Sequence, residues 1–375
     1  MAETKRILHI IGGLDRGGAE SFLMNAWRNI DKSKYQFDIL TFLPPRNGKK
    51  FAYEEELIAG GAKIYRIKDN RVRHPWKFEK DIAKIVRDNH YNTVHSHIDF
   101  MSAISLAGAK KGGAKGLISH SHNTYNKNLD SFIKRVASYF LRKRLNAIAN
   151  TKLACGEKAG EFLYGRESKF IIIPNGIDLT NFAFSISARE ELRLDFNLNH
   201  KTKVILNVGR LEKVKNQAFL IRAFEEYVSK EPESALFIIG DGTLKDSLEE
   251  QIGRSSAKKK IFLLPSRADI NRFYSMADIF ALPSTFEGVP TVGIEAQSCG
   301  LKCLFSTFVP KETKAISSSR FLTIDNTQTW ARAFQISKIN TAKRSDALNS
   351  ERLRLFDIRK SVKKLEAAYD SLQNS

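Results

Sequence analysis

The stretch ADIFALPSTFEGVPTVGIEA, residues 277–296, has the pattern of a strand, a turn and the start of a helix. Ile279–Leu282 is a short apolar run that suits a buried strand. Pro290 suits the first position of a helix, where the N–H that proline lacks is not needed. Two glutamates, Glu287 and Glu295, stand on either side of this helix start. The stretch therefore predicts one strand–turn–helix unit of an α/β fold.

Short apolar runs and amphipathic stretches alternate along most of the chain. Seven strand-like runs come before the turn at residue 174: RILHII, FDILTF, KIYRI, NTVHSH, GLISH, TKLACG and KFIIIP. Five more begin at residue 203 or later: KVILNVG, SALFIIG, KIFLLP, ADIFALP and LKCLFS. Helical spacing between these runs, for example over residues 217–228, predicts parallel sheets with helices on both faces.

The alternation breaks around residues 174–200, where a turn-forming Pro-Asn-Gly is followed by a polar stretch. A chain of 375 residues is long for a single core. We therefore predict two doubly wound, Rossmann-like domains, residues 1–180 and 181–375. Apolar residues spaced by three and four from Ile358 to Leu372 predict a final helix over about 355–373. This helix needs an apolar surface to cover, and packing back on the first domain would supply one.

Cysteine content and the length of the apolar runs indicate where in the cell the protein is expected. Cys155, Cys299 and Cys303 are too few for a disulfide framework and lack the partners of a zinc motif. The apolar run at residues 7–11 is too short for a signal peptide. Nothing in the sequence approaches the roughly 20 apolar residues that cross a bilayer. These features predict a cytoplasmic protein with free thiols.

The net charge of +20 favours an anionic partner such as a nucleotide, a nucleic acid or an acidic lipid surface. Residues 101–150 contain nine Lys or Arg against Asp130 alone. We expect no nucleic-acid partner, because no zinc-finger, RNA-recognition or helix-turn-helix pattern is present. Within 132–148 an apolar stripe, interrupted by Arg144, is formed by Ile133, Val136, Ala137, Phe140 and Leu141. This helix would either lie on anionic lipid or pack on its own sheet.

The two glutamates of the opening stretch suit a particular kind of ligand. The backbone N–H groups of Thr291 and Val292 would point out of the helix end, in a field that favours phosphate. Glu287 and Glu295 would accept hydrogen bonds from hydroxyl groups on either side of that phosphate. A diphosphate between two hydroxylated rings is a sugar nucleotide. On spacing alone, the glutamates could equally be a turn residue and a surface helix residue.

Several motifs, in order, resemble those of retaining GT-B glycosyltransferases of family 4, and this similarity covers most of the chain. STFEGVPTVGIEAQSCG, residues 284–300, resembles the family's paired-glutamate motif. The other matching segments are HIIGGLDRGGAESF, IIIPNGIDLTNF, NVGRLEKVKNQAFLIRAF and FIIGDGTLKDSLEE. The type that they match best is the bacterial capsular and exopolysaccharide transferases. The resemblance implies two Rossmann-like domains that face each other across a cleft, with the acceptor bound by the first and the donor by the second.

The resemblance also implies roles for individual residues. Arg210 and Lys215 match the basic pair that clamps the donor diphosphate, Glu295 would bind the ribose and Glu287 the transferred sugar. His122 matches the active-site histidine near that sugar, so the expected catalytic residues are His122, Glu287, Arg210 and Lys215. The expected donor-binding residues are Gly17, Gly18, Arg210, Lys215, Glu287, Gly288, Thr291, Val292 and Glu295.

Two further features of the first domain bear on the site. The loop GGLDRGG, residues 12–18, lacks the dinucleotide spacing G-x-G-x-x-G, so it is either a phosphate or sugar loop or a plain tight turn. The pairs His95/His97 and His120/His122 each end a predicted strand. Such pairs could ligate a metal, but the carboxylates that usually complete a site are not evident apart from Asp99. We therefore expect no metal, an acceptor-side place for His97, and packing or loop roles for His95 and His120.

The resulting hypothesis is a retaining, metal-independent glycosyltransferase without a cofactor. It would move a sugar from a nucleotide-sugar, by resemblance a UDP-sugar, to a glycan acceptor, in capsule or exopolysaccharide biosynthesis. The basic segment favours a lipid-linked acceptor and a peripheral position on the inner face of the cell membrane. Two alternatives stay open: a sugar-nucleotide epimerase of the same architecture and a non-catalytic basic binding protein.

Overall fold

The apolar runs of the sequence form two parallel sheets, each within its own compact unit. The computed structural model describes residues 4–15, 17–45, 50–69, 71–123, 132–337 and 341–372, with the backbone alone at 132–134. One unit comprises residues 1–176 together with 358–375, and the other comprises residues 177–357. The boundary expected at 180/181 thus falls just inside the second unit.

The first unit contains a seven-stranded parallel sheet in the order β3-β2-β1-β4-β5-β6-β7. Its elements before the boundary are β1 (Lys5–Ile10), α1 (Gly18–Asn29), β2 (Tyr35–Thr41), α2 (Glu54–Ala59), β3 (Ile64–Arg66), α3 (Pro75–Asp88), β4 (Thr93–Ser96), α4 (Ser102–Lys111), β5 (Gly116–Ser121), α5 (Phe132–Ile148), β6 (Thr151–Ala154), α6 (Glu157–Tyr164) and β7 (Ile171–Ile172). The strand order reverses between β1 and β4, as in other doubly wound folds.

The second unit contains a six-stranded parallel sheet in the order β10-β9-β8-β11-β12-β13. Its elements are α7 (Ile186–Asp195), β8 (Lys203–Val208), α8 (Gln217–Val228), β9 (Ser234–Ile239), α9 (Lys245–Arg254), β10 (Ile261–Leu264), α10 (Ile270–Met276), β11 (Ile279–Leu282), α11 (Thr291–Ser298), β12 (Lys302–Ser306), β13 (Arg320–Leu322), α12 (Thr327–Ile336) and α13 (Glu351–Arg354). The order reverses between β8 and β11. The α/β fold with two Rossmann-like sheets is therefore confirmed.

The last helix, α14 (Ile358–Ser371), returns to the first unit. Its buried face, which includes Val362, Leu365 and Tyr369, belongs to the same apolar cluster as Phe37 of β2. Near its end Asp370 accepts a 2.6 Å hydrogen bond from the hydroxyl of Tyr35. The spacing of apolar residues in the tail therefore marks the face by which α14 covers the first sheet.

Both sheets have buried strands because helices cover both of their faces. In the second unit one apolar cluster includes Phe224 of α8 and Trp330 of α12. The other includes Phe273 of α10 and the free thiols Cys299 and Cys303. Continuous apolar strands such as β11, which is buried at every residue, follow from this two-sided cover.

The segment expected as an interdomain break contains α7, which the sequence analysis did not anticipate. Arg189 and Arg193 lie one turn apart on α7, and both reach the carboxylate of Asp278, at 2.6 and 2.7 Å. All three side chains are at least nine-tenths buried, and the backbone N–H of Val204 donates to the same carboxylate at 2.8 Å. Asp278 directly precedes β11, so this network attaches α7 to the two central strands of the second sheet.

We predict that Asp278→Ala destabilises the protein by about 3–5 kcal/mol, because two buried guanidinium groups lose their counter-ion. The measurement is the free energy of unfolding in urea. Asp88→Ala is the matched control, since Asp88 lies on an exposed surface and pairs with Lys84 one turn away. Equal stability of the two variants would contradict the role assigned to Asp278.

Candidate active site

The groups expected at the donor site gather at the carboxyl edge of the second sheet. Arg210 and Lys215 follow β8, and Glu287 and the start of α11 follow β11. These two strands are neighbours and lie where the strand order reverses. Open α/β sheets bind ligands in the crevice that such a reversal leaves at the carboxyl ends of the strands.

Lys215 and Glu287 form an ion pair at this edge. The ammonium Nζ of Lys215 lies 2.6 Å from Oε1 of Glu287, and the side chains are only 13% and 11% exposed. The hydroxyl of Ser284 donates to the same carboxylate oxygen at 2.6 Å. The pair therefore holds a cation and an acceptor of hydroxyl hydrogen bonds side by side, sheltered from bulk water, which strengthens their action on a ligand.

Arg210 is the more exposed of the two basic groups. Its guanidinium is about half exposed and pairs with Glu212 at 3.0 Å. The loop that carries it is held from behind, because the amide of Gln217 donates to the carbonyl of Arg210 at 3.0 Å. Gly240 lies against the same loop, and a Cβ there would stand 2.0 Å from the carbonyl oxygen of Gly209. The backbone of Arg210 is thus fixed while its side chain is free to reach a ligand.

The start of α11 offers backbone donors beside the Lys215–Glu287 pair. The helix begins at Thr291, and Pro290 is its N-cap residue rather than its first residue. The N–H groups of Thr291 and Val292, at the start of the first turn, have no acceptor within the helix. Gly288 precedes this turn, and a Cβ there would meet nothing within 4 Å. The helix end is therefore suited to an anion.

Glu295 lies one turn into α11 and is partly buried. The hydroxyl of Tyr274 donates to its Oε2 at 2.8 Å. Burial raises the pKa of Glu295 to about 7, although the Tyr274 hydrogen bond acts in the opposite direction. Hydroxyl groups of a ligand that donated to this carboxylate would favour its charged form.

The glycine loop of the first unit leads into α1. Gly17 is the N-cap residue of this helix and Gly18 is its first residue. A Cβ on Gly18 would meet nothing within 4 Å. Gly17 has an extended backbone that any residue can adopt, so its conformation alone does not require glycine. The loop thus leads into a twelve-residue helix, at whose start the carboxylate of Glu20 lies against Gly17.

His97 and His122 both lie inside a cluster of buried imidazoles. Nδ1 of His97 is 2.8 Å from Nε2 of His122, and Nδ1 of His122 is 3.2 Å from Oδ1 of Asn175. Nε2 of His97 is in turn 3.0 Å from Nδ1 of His9. His95 and His120, expected as packing or loop residues, are buried strand residues of the same cluster. The catalytic role of His122 and the acceptor-side role of His97 stay predictions.

Some partners of the site residues were not found by sequence reasoning. Ser284 and Tyr274 each bind one of the two key glutamates, but a serine or tyrosine near a strand has no distinctive spacing. His9 contributes to the imidazole cluster from β1. Its signal was an uncommon polar residue at the centre of the otherwise apolar run RILHII.

Comparison with known families matches both units. A model described as "Glycosyl transferases group 1" matches residues 188–336, and one described as "Glycosyltransferase Family 4" matches residues 16–181. The putative glycosyltransferase EpsF of Bacillus subtilis is 32% identical over 84% of this chain and 82% of its own length.

Two other relatives carry more specific names. An Escherichia coli UDP-Gal:α-D-GlcNAc-diphosphoundecaprenol α-1,3-galactosyltransferase is 30% identical over 60% of each chain. The capsular polysaccharide biosynthesis glycosyltransferase CapH of Staphylococcus aureus is 23% identical over 98% of this chain and 99% of its own. Among solved structures, Anabaena HepE in complex with UDP-glucose superposes with a TM-score of 0.78 at 18% identity, covering 98% of this chain and 99% of that one.

The raised pKa of Glu295 leads to a prediction about stability and pH. A carboxyl whose pKa is higher in the folded protein binds more protons there, so its contribution to stability is full below about pH 4.5 and is lost as the pH rises through about 7. Glu295→Gln keeps an acceptor for Tyr274 but cannot ionise. We expect the free energy of unfolding of wild type to fall by up to roughly 3 kcal/mol, relative to that of this variant, between pH 4.5 and 8.

The measurement is urea unfolding of both proteins across that pH range. Glu249→Gln, on the exposed side of α9, is the control and should follow wild type. Parallel stability curves for wild type and Glu295→Gln would refute the assigned burial of the charge.

Proposed function

The chain belongs to glycosyltransferase family 4, and we propose that it is a retaining enzyme that transfers a sugar from a UDP-sugar to a lipid-linked glycan. Its relatives include a capsular polysaccharide transferase, and we place its reaction in capsule or exopolysaccharide biosynthesis. The observation that carries the proposal is the Lys215–Glu287 pair beside the open start of α11. A diphosphate at the helix end would meet the ammonium of Lys215, while the sugar hydroxyls donate to Glu287.

The nucleoside end of the donor is assigned to Glu295. Its carboxylate lies one turn further along α11 than the N–H groups that face a phosphate. Ribose hydroxyls would donate to it as sugar hydroxyls donate to Glu287. This arrangement, one carboxylate for each hydroxylated ring and positive charge between, is complementary to a sugar nucleotide. The name of the Escherichia coli relative and the HepE complex support UDP as the nucleotide.

The proposed transfer needs no divalent metal at the diphosphate. The bond between the anomeric carbon and the leaving phosphate oxygen breaks, the acceptor oxygen bonds to the same face of that carbon, and the departing phosphate takes the acceptor's proton. Negative charge builds up on the diphosphate, where Lys215, Arg210 and the helix N-terminus stabilise it. His122 is assigned to the transferred sugar by the family resemblance.

A lipid-linked acceptor agrees with the surface of α5. Val136, Tyr139 and Phe140 are 40%, 50% and 63% exposed, although they are apolar or aromatic. The sheet-facing side of the helix is marked instead by buried Leu145. Arg144, which interrupts the expected apolar stripe, is paired with Glu79 at 3.0 Å. The exposed patch beside lysine and arginine is of the kind that enters an anionic lipid surface.

The Escherichia coli relative acts on a diphosphoundecaprenol-linked sugar, which supports the same acceptor class. None of the helices within the described residues is long and apolar enough to span a membrane. We therefore propose peripheral binding through α5 at the inner face of the cell membrane.

The donor chemistry is tested by removing Lys215. We expect Lys215→Ala to lower turnover by at least about tenfold, and up to about 10²–10³, because a preorganised cation at the leaving group is lost. Lys213→Ala is the matched control, since Lys213 is exposed in the same short 3₁₀ turn. Turnover is measured with a panel of sugar nucleotides, with and without acceptor and with a chelator present.

Release of UDP that depends on acceptor, with both substrate and product in the same anomeric configuration, is the expected result. Conversion of the UDP-sugar to an isomer without acceptor would point to an epimerase instead. Unchanged activity of Lys215→Ala would overturn the site assignment.

Membrane binding is tested by sedimentation with vesicles of anionic phospholipid. We expect the protein to pellet with them at low salt and to be released at high salt, because the attraction is screened. Phe140→Ser should weaken binding by about tenfold, since burying a phenylalanine side chain contributes about 1.5–3 kcal/mol. Trp76→Ser, which removes an aromatic side chain that is 67% exposed on α3, should leave binding unchanged. Absence of pelleting at low salt would remove the membrane proposal.

A further inference from the structure

Five of the eight histidines come together in the first unit, on one face of its sheet. His9 and His95 are aligned on the neighbouring strands β1 and β4, and His97, His120 and His122 continue the group at the ends of β4 and β5. The rings stack, with centroids 4.2 Å apart within each H-x-H pair. The group lies at the reversal of strand order, where doubly wound sheets bind ligands.

Hydrogen bonds fix the protonation of part of this group. The amide oxygen of Asn175 only accepts, so Nδ1 of His122 carries the proton and its Nε2 accepts from Nδ1–H of His97. By the same logic Nε2 of His97 accepts from Nδ1–H of His9. In this series each imidazole carries one proton and is neutral, which is the form that binds metals.

His120 is the member of the group in which both ring nitrogens lack a hydrogen bond of normal geometry within the described part of the chain. Its ring is fully buried, and the backbone of Ile173 is the polar group that lies near it. A buried polar atom without a partner costs about 1–3 kcal/mol. Ligand atoms of His97, His120 and His122 all lie within 4.8 Å of one another. The unpartnered ring thus lies beside two imidazoles that hydrogen bonds already hold in place.

We propose that His97, His120 and His122 form a binding site for one transition-metal ion of the zinc type. Three neutral nitrogen ligands suit Zn²⁺, Co²⁺, Ni²⁺ or Cu²⁺ and do not suit Mg²⁺ or Ca²⁺, which prefer oxygen. The third ligand would be another histidine, in place of the carboxylate whose absence led to the expectation of no metal. Asn175 orients His122 from behind, as second partners of metal-bound histidines usually do.

The ligand nitrogens have to separate slightly when the ion enters. With Zn–N distances of about 2.0–2.1 Å, tetrahedral geometry places nitrogen ligands about 3.3 Å apart. Nδ1 of His97 and Nε2 of His122 are now 2.8 Å apart, a distance at which they share a proton. Binding would displace that proton from Nδ1 of His97. His97 stays neutral because it takes the proton of His9 at its Nε2, and His9 carries the displaced proton at its own Nε2, so no proton is lost from the series. The rings would move apart by about half an ångström.

A second group, His9, His95 and His97, also has ligand atoms within 4.8 Å of one another. All three of these side chains are fully buried, and a dication held there by neutral ligands would be costly without water. His122 is partly exposed. The group at the strand ends can therefore keep a water molecule as the fourth ligand, which favours it over the inner group.

The site shares His122 with the sugar-binding role proposed above, but the groups assigned to the diphosphate and the ribose do not belong to it. Its ligands belong to the first unit, whereas Arg210, Lys215 and the two glutamates belong to the second. His120 has no assigned role in sugar transfer, so loss of metal binding in His120→Gln is a result separate from loss of transfer.

The test uses the full chain, purified without a polyhistidine tag and treated with a chelator. This protein is then titrated with Co²⁺. We expect one equivalent to bind with the visible absorption of tetrahedral Co²⁺, displaced by Zn²⁺, and Zn²⁺ to raise the melting temperature. His120→Gln should weaken binding by about tenfold or more, as even outer-shell changes do. His200→Gln, at an exposed position, is the matched control and should bind like wild type.

Circular dichroism checks that the variants fold. If His120→Gln does not fold, the titration is made with His122→Gln, which changes the least buried ligand. Two results would overturn the proposal. One is the absence of Co²⁺ and Zn²⁺ binding by wild type at equimolar concentration. The other is binding by His120→Gln or His122→Gln that is as tight as in wild type, which would place the metal elsewhere.

Discussion

Both units depend on the same constraint. In a parallel sheet that helices cover on both faces, the polar side chains that can act on a ligand lie mainly at the ends of the strands. Along the strands, backbone groups satisfy one another and side chains must be apolar or paired. The restriction does not apply to the loops at the carboxyl edge of the sheet, and the reversal of strand order opens a crevice there. The candidate donor residues follow β8 and β11, and the histidines cluster around β1, β4 and β5, at the two reversals.

In the second unit, this edge combines rigid support with an exposed cation. Gln217 and Gly240 hold the Arg210 loop from behind, and at the opposite, amino edge of the sheet Asp278 ties β11 to α7 through two buried arginines. Little reorganisation would then be needed when a charged ligand arrives, which is the condition under which fixed charges stabilise a developing anion most. Without a ligand, Lys215 and Glu287 neutralise each other, so neither charge is left uncompensated while partly buried.

In the first unit His9 and His95 lie within the sheet, on a buried face, rather than at the strand ends. Neutral histidines make this possible, because each ring can donate one hydrogen bond and accept another, and His9, His97 and His122 are hydrogen-bonded in series. His95 uses the hydroxyl of Tyr369 on α14, 2.9 Å away. The helix from the far end of the chain thus closes the cluster as well as the apolar core.

The sequence by itself determined the fold class, the family and most of the candidate donor residues, because these depend on local periodicity and on motifs within short segments. The helix at 217–228 and strand β11 have the expected bounds. The sequence did not predict α7, which lies in a polar stretch, or β13, whose three residues are too few to show a period. Only the tertiary structure decided which side chains meet. The Lys215–Glu287 pair spans 72 residues and the His9–His97 contact spans 88, and such contacts arise from strand order and register, which no local spacing encodes.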